Sequence, residues 1–160
     1  MANNPQDRLQ EVREEITKTD KRLTVLFNER RKYPRPKTDS YSKNSLVSYL
    51  AHRIRKELYS SNGTYQTPKN PVGVIDAKII GLLIYRTHYL SEEVARIKIA
   101  EGLETTNPRV EQTKLAEREA QVREEGLEAL TQPGIREIFK LIFRASKITQ
   151  ERLRRQLGED

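Results

Sequence analysis

The sequence predicts an all-α protein. Apolar residues recur at three- and four-residue intervals along five stretches, and no stretch alternates with the period of a strand. Proline, glycine or a capping residue bounds most of these stretches. A hydrophobic content of 35% beside 33% charge suits thin helical layers better than a thick sheet-based core. The length of 160 residues fits one domain, or one domain with a sizeable appendage.

The first predicted helix, 7–33, places Leu9, Val12, Ile16, Leu23, Leu26 and Phe27 on one stripe, and Pro34 and Pro36 stop it. A shorter amphipathic helix spans 45–59 through Val47, Leu50, Ile54 and Leu58, with Asn44 or Ser45 as its cap. The stretch "SSNGTYQTPKNP" (60–71) carries every breaker signal and is a loop. The third helix runs from about Val72 to Ala100, with Ile75, Ile79, Leu82, Leu83, Leu90, Val94 and Ile97 inward. A fourth starts at Asn107-Pro108, cap then first-turn proline, and runs to about 131 with Gly126 as a possible kink. Pro133-Gly134 turns the chain into the last helix, 135–157. These patterns divide the chain into an N-terminal helical extension, 1–71, and a helical domain, 72–160.

Several chemistries are set aside by residue content. The absence of Cys excludes a disulfide framework and thiolate ligands and fits a reducing compartment. No glycine-rich phosphate loop or nucleophile elbow occurs, and His52 and His88 share no ligand spacing. The start, "MANNPQDRLQ", lacks the apolar stretch of a signal peptide, and no 18-residue apolar run could span a bilayer. A soluble cytoplasmic protein is expected. The net charge is +7, concentrated in the N-terminal part, because residues 72–160 balance.

What remains is a set of polar residues lying where the apolar stripes point inward. In "IFKLIFRASKITQ" (138–150), Ile138, Phe139, Ile142 and Ala145 mark a core face that continues into Ser146 and Gln150. A buried amide without a partner costs about 1–3 kcal/mol, so the interior should hold something bonded to it. Arg86 falls between Leu83 and Leu90, Lys98 adjoins Ile97, and Arg118 with Glu119 fills the gap between Leu115 and Val122. Singly, such residues are solvated or snorkelling. Together they describe a bundle whose interior suits a small molecule with more than one carboxylate.

The stretches "VIDAKIIGLLIYRTHYLSEEVARIK", "LAEREAQV" and "IREIFKLIFRASKITQERL" resemble, in order, the three helices of the all-helical (AroQ-class) chorismate mutases. Ile75, Asp76, Leu82, Leu83 and Arg86 match the first part of that family's first helix; Glu93, Val94 and Lys98 match its end. Ser146 and Gln150 match the Ser and Gln of its last helix. The resemblance implies an isomerase of aromatic amino acid biosynthesis that rearranges chorismate to prephenate without a cofactor or metal. It implies that Arg86 and Arg118 grip carboxylates, that Lys98 and Gln150 donate to the ether oxygen, that Glu119 accepts from the ring hydroxyl, and that Ser146 contacts a carboxylate.

Three departures accompany it. One residue more than the family's spacing separates Arg86 from Lys98, so a bulge or shifted register must realign the lysine. The second-helix pair has two placements: Arg118 and Glu119, preferred because Arg118 and Ser146 are level about the Pro133-Gly134 turn, or Val110 and Glu111 in "NPRVE". The family's cross-subunit arginine has no counterpart before Pro71 except Lys69. Residues 9–31 resemble a second copy of the start of helix one, in which Arg13, Asp20 and Arg30 keep the family's spacing, and Arg13 is the candidate to replace that arginine.

The apolar stripe left by three helices from 72–160 predicts a homodimer with intertwined helices. Two other readings stand beside the mutase. An isochorismate pyruvate lyase of the same fold would use nearly the same cations. A nucleic-acid- or protein-binding module would use the basic stretch 33–65, which holds Tyr33, Tyr41, Tyr49, Tyr59 and Tyr65.

Overall fold

The structure is a computed structural model that describes residues 4–33, 71–103 and 108–158. The expected helix over 45–59, the loop before Pro71 and four of the five tyrosines of the basic stretch lie outside the described residues. Helix α1 spans Pro5–Arg31. Helix α2, Pro71–Ile84, continues through a π-helical segment, Tyr85–Leu90, into α3, Ser91–Ala100. Helix α4 is Pro108–Glu124 and α5 is Gln132–Gln156. No strand occurs among the described residues.

Local chemistry sets the ends. Asn4 Oδ1 accepts from Asp7 N at 2.8 Å and Pro5 follows as the first helical residue, so α1 begins two residues before the predicted start. Thr131 Oγ1 caps α5 through Gly134 N at 3.0 Å, and Pro133 sits in its first turn, which moves that start to Gln132. A Cβ at Gly134 would come within 2.8 Å of Thr131 Oγ1, so the cap requires glycine there. Gly126 stops α4 rather than kinking it: its φ of 63° is left-handed, and Leu127 N returns to Val122 O at 3.0 Å. The predicted helix to 131 is therefore seven residues shorter, ending at Glu124.

Helices α4 and α5 pack along each other, α5 also packs on α3 and the π segment, and α1 lies against α2, the π segment, α3 and α4. The apolar stripes meet as expected, but in two clusters. The larger joins Leu23 and Phe27 of α1 to Ile75, Ile79, Leu83, Leu115, Val122 and the Ile135–Phe143 face of α5. The smaller joins Leu9 and Ile16 to Leu90, Val94 and Ile97. Ala145 is exposed, so the inward face of α5 runs through Ile142 and Phe143 to Ser146. Buried Asp20, Arg86, Thr87, Arg118 and Ser146 belong to neither cluster. Helix α1 of the same chain covers the part of the 72–160 stripe that runs from Ile75 to Ile97, while Leu141 and Ile148 of α5 remain exposed.

Candidate active site

A cavity of about 130 Å³ opens among α1, the α2–α3 rod, α4 and α5. Its lining includes Arg13 and Ile16 of α1, Arg86, Val94 and Lys98 of the rod, Val110, Glu111 and Lys114 of α4, and Phe143, Ser146, Lys147 and Gln150 of α5. Five cationic side chains thus face one lining carboxylate. Such an imbalance in a partly desolvated space is costly unless anions enter it.

Arg86 forms the floor. It is 4% exposed, and its Nε donates to Asp20 Oδ1 at 2.9 Å while Nη1 donates to Ser146 Oγ at 3.0 Å. Its guanidinium carbon also lies 5.9 Å from the Phe143 ring centre. These bonds occupy only part of its five-donor fork and fix its plane. Ser146, on the apolar face of α5, is thereby explained: it orients an arginine from another helix. Gln150, one turn on, lines the cavity with its Oε1 buried and without a hydrogen-bond partner among the described residues. That acceptor is oriented but unused.

The π segment resolves the spacing of Arg86 and Lys98. In a regular α-helix each residue advances about 100°, so twelve residues would set the two side chains about 120° apart. Absorbing one residue in a π turn leaves an effective eleven and brings them to within about 20°. Ser91 Oγ donates to Arg86 O at 2.9 Å, and Thr87 Oγ1 to Leu83 O at 2.7 Å, satisfying carbonyls along this stretch. Beyond Lys98, Gly102 takes a φ of 67° and Leu103 N bonds Lys98 O at 2.8 Å, closing the helix. Arg154 Nη2 donates to Leu103 O at 2.7 Å and ties this end to α5. Burial, then repulsion from Arg13 and Arg154, holds the Lys98 ammonium below its ordinary pKa.

On α4 the cavity takes the "NPRVE" end. Val110, Glu111 and Lys114 line it, whereas Arg118 and Glu119 do not. Arg118 is 4% exposed and donates to Gln121 Oε1 at 3.0 Å; Gln121 Nε2 in turn donates to Lys21 O, also at 3.0 Å. Gln121 thereby ties α4 to α1. Glu119 accepts from Arg136 Nη1 at 2.8 Å on the other side of α4. The preferred second-helix placement is thus not the one the cavity uses. Being level about a turn fixes height in an antiparallel pair but not the face of the helix.

Lys114 lines the cavity but was not among the residues the sequence singled out. It lies three residues after Glu111 on the same face, the one available signal, but a lone lysine in a charged helix looks solvated. Burial lowers its pKa to about 8; Arg86 and Arg13 add repulsion, and Asp20 and Glu117 offset part of it. Arg13, exposed at the cavity's edge, makes no ion pair among the described residues. The structure therefore gathers Arg13, Arg86, Lys98, Ser146 and Gln150 in one place and leaves out Arg118 and Glu119.

Among the described residues no helix is long and apolar enough to cross a membrane. A family model described as chorismate mutase type II matches residues 71–151, just over half of the chain. No curated protein and no solved structure gives a significant match.

Proposed function

The chain belongs to the chorismate mutase type II family, and we propose that it rearranges chorismate to prephenate in the cavity floored by Arg86. The observation that supports this reading is the convergence of Arg13, Arg86, Lys98 and Lys114 from three separate segments on one small space beside a single lining carboxylate. A dianionic substrate is the ligand such a space accommodates at least cost.

The reaction is unimolecular: one C–O bond breaks, one C–C bond forms, and no group leaves. The protein's task is to hold the enolpyruvyl side chain over the ring and to stabilise the negative charge that builds on the ether oxygen. Arg86, with its plane fixed by Asp20 and Ser146, would grip one carboxylate. Arg13 and Lys114, which also line the cavity, would take the remaining carboxylate charge. Lys98 would give the charge-assisted hydrogen bond to the ether oxygen, joined by the Gln150 side-chain N–H₂. Glu111, the lining carboxylate, would accept from the ring hydroxyl, the role first given to Glu119.

In this reading Arg13 reaches the site from α1 of the same chain, so a second copy is not needed to complete it. The test is turnover of purified protein with chorismate, the products being separated and identified. Prephenate as sole product supports the reading. Release of pyruvate from isochorismate, with no prephenate from chorismate, would move the site to the lyase.

A further inference from the structure

Two buried ion pairs join α1 to the α2–α3 rod, and they are reciprocal. Arg86 Nε donates to Asp20 Oδ1 at 2.9 Å, and Arg30 Nε donates to Asp76 Oδ1 at 2.7 Å. An offset of 56 positions relates Asp20 to Asp76 and Arg30 to Arg86. The same offset carries Leu23 to Ile79 and Phe27 to Leu83, all four buried in the larger cluster. Contact of i with j and of j with i is the mark of a two-fold relation. Here it relates two antiparallel helices of one chain. The pairs are about 15 Å apart along the helices, ten residues at 1.5 Å each.

The two ends are not used alike. Arg86 lines the cavity; Arg30 and Asp76 do not. Asp20 also interacts electrostatically with Lys114 and Arg118, so one carboxylate from α1 balances cations from two other helices at this end. Its neighbours on α1 act on the same cavity: Ile16 and Arg13, one and two turns earlier, line it. Resting on the proposed function, we infer that α1 is an internal copy of the first half of the rod that furnishes the site in cis, with Asp20 as the positioning residue that sets the Arg86 fork, while the matched Arg30–Asp76 pair serves stability alone.

The matched pair is a built-in control. Asp20→Glu and Asp76→Glu keep the charge and push each carboxylate one methylene outward. Both variants should lose thermal stability. Asp20→Glu should lower kcat/KM for chorismate by about tenfold or more, whereas Asp76→Glu should stay within about twofold of the parent. If the longer side chain prevents folding, Asp20→Asn and Asp76→Asn, which keep the shape, repeat the comparison with kcat as the readout. Equal kinetic effects at the two positions overturn the inference.

A second readout does not depend on chemistry. Citrate, a tricarboxylate, should raise the melting temperature of the parent and of the Asp76 variant but raise that of the Asp20 variant much less. Absence of a citrate shift in the parent, or equal shifts in both variants, overturns the role given to Asp20. Absence of chorismate turnover with the unequal shifts intact overturns the mutase reading alone.

Discussion

Arg86 and Lys98 line the same cavity although a regular α-helix would turn them about 120° apart over their twelve-residue separation. The π-helical segment Tyr85–Leu90 absorbs the surplus residue. It also keeps Leu90, Val94 and Ile97 on the buried side, so core and site share one register after the bulge. A local departure from helical geometry thus sits where it brings two cavity-lining cations into one register.

Lys98→Ala should lower kcat by about 10²–10³, the usual effect of removing a donor to developing charge, while leaving the circular dichroism of the helices unchanged. Gln150→Ala should act in the same direction. Its Oε1 has no partner among the described residues, so the change breaks no hydrogen bond at that atom. Steady-state kinetics with chorismate checks both. A silent Lys98→Ala would mean that the bulge does not deliver the lysine to the substrate.

The two faces of α4 are separable. Lys114→Ala and Glu111→Ala should reduce kcat/KM with little change in melting temperature. Arg118→Ala removes a buried donor to Gln121 and should cost roughly 1–3 kcal/mol of stability. Its effect on KM should be small where the variant is folded. Denaturant unfolding beside kinetics distinguishes the outcomes, and the opposite ranking would return the substrate to Arg118.

Activity should fall as pH rises through about 8, where the free protein's Lys114 loses its proton. The sign follows from its role: the cation attracts a carboxylate, the neutral amine does not, so KM rises on the alkaline side. Bound substrate favours the ammonium, so the fall should appear in kcat/KM at lower pH than in kcat. Lys114→Arg should remove that alkaline limb. A pH profile of the parent beside that of Lys114→Arg settles it.

Breaking the buried pair far from the cavity should be expensive. Asp76→Ala removes the buried carboxylate to which Arg30, 2% exposed, donates and should cost about 3–5 kcal/mol. Replacing both partners by apolar residues of similar volume should cost much less, because the desolvation penalty disappears with the charges. Thermal unfolding of the single and double variants gives the comparison.

Period and punctuation in the sequence were enough to place α1, the α2–α3 rod and α5, since each buries a long stripe between clear breakers. The end of α4 was misplaced because Gly126 can kink a helix or cap it, and only its left-handed φ decides. Of the candidate site, Arg86, Ser146 and Gln150 were legible because each interrupts an apolar face, and Lys98 because it adjoins one. Lys114 was not, since α4 is charged on most sides and the depth of a lysine depends on helices distant in sequence. Arg118 was legible as buried but its bond to Gln121 was not: Gln121 looks like any surface amide until α1 is packed against it. The proposed internal copy rests in sequence on the spacing of Arg13, Asp20 and Arg30, while the reciprocal Asp20–Arg86 and Arg30–Asp76 pairs needed the tertiary fold.

The central claim is that one chain's cavity, with Arg13 delivered by α1, holds a dicarboxylate in the geometry of the rearrangement. A crystal structure of the full chain with a bicyclic diacid that mimics the rearranging ring system tests it most directly. The account predicts carboxylates held by Arg86, Arg13 and Lys114, and the ether oxygen within hydrogen-bond reach of Lys98 and Gln150 of the same chain. A diacid bound elsewhere, or held by an arginine from a second copy while Arg13 points to solvent, would contradict it.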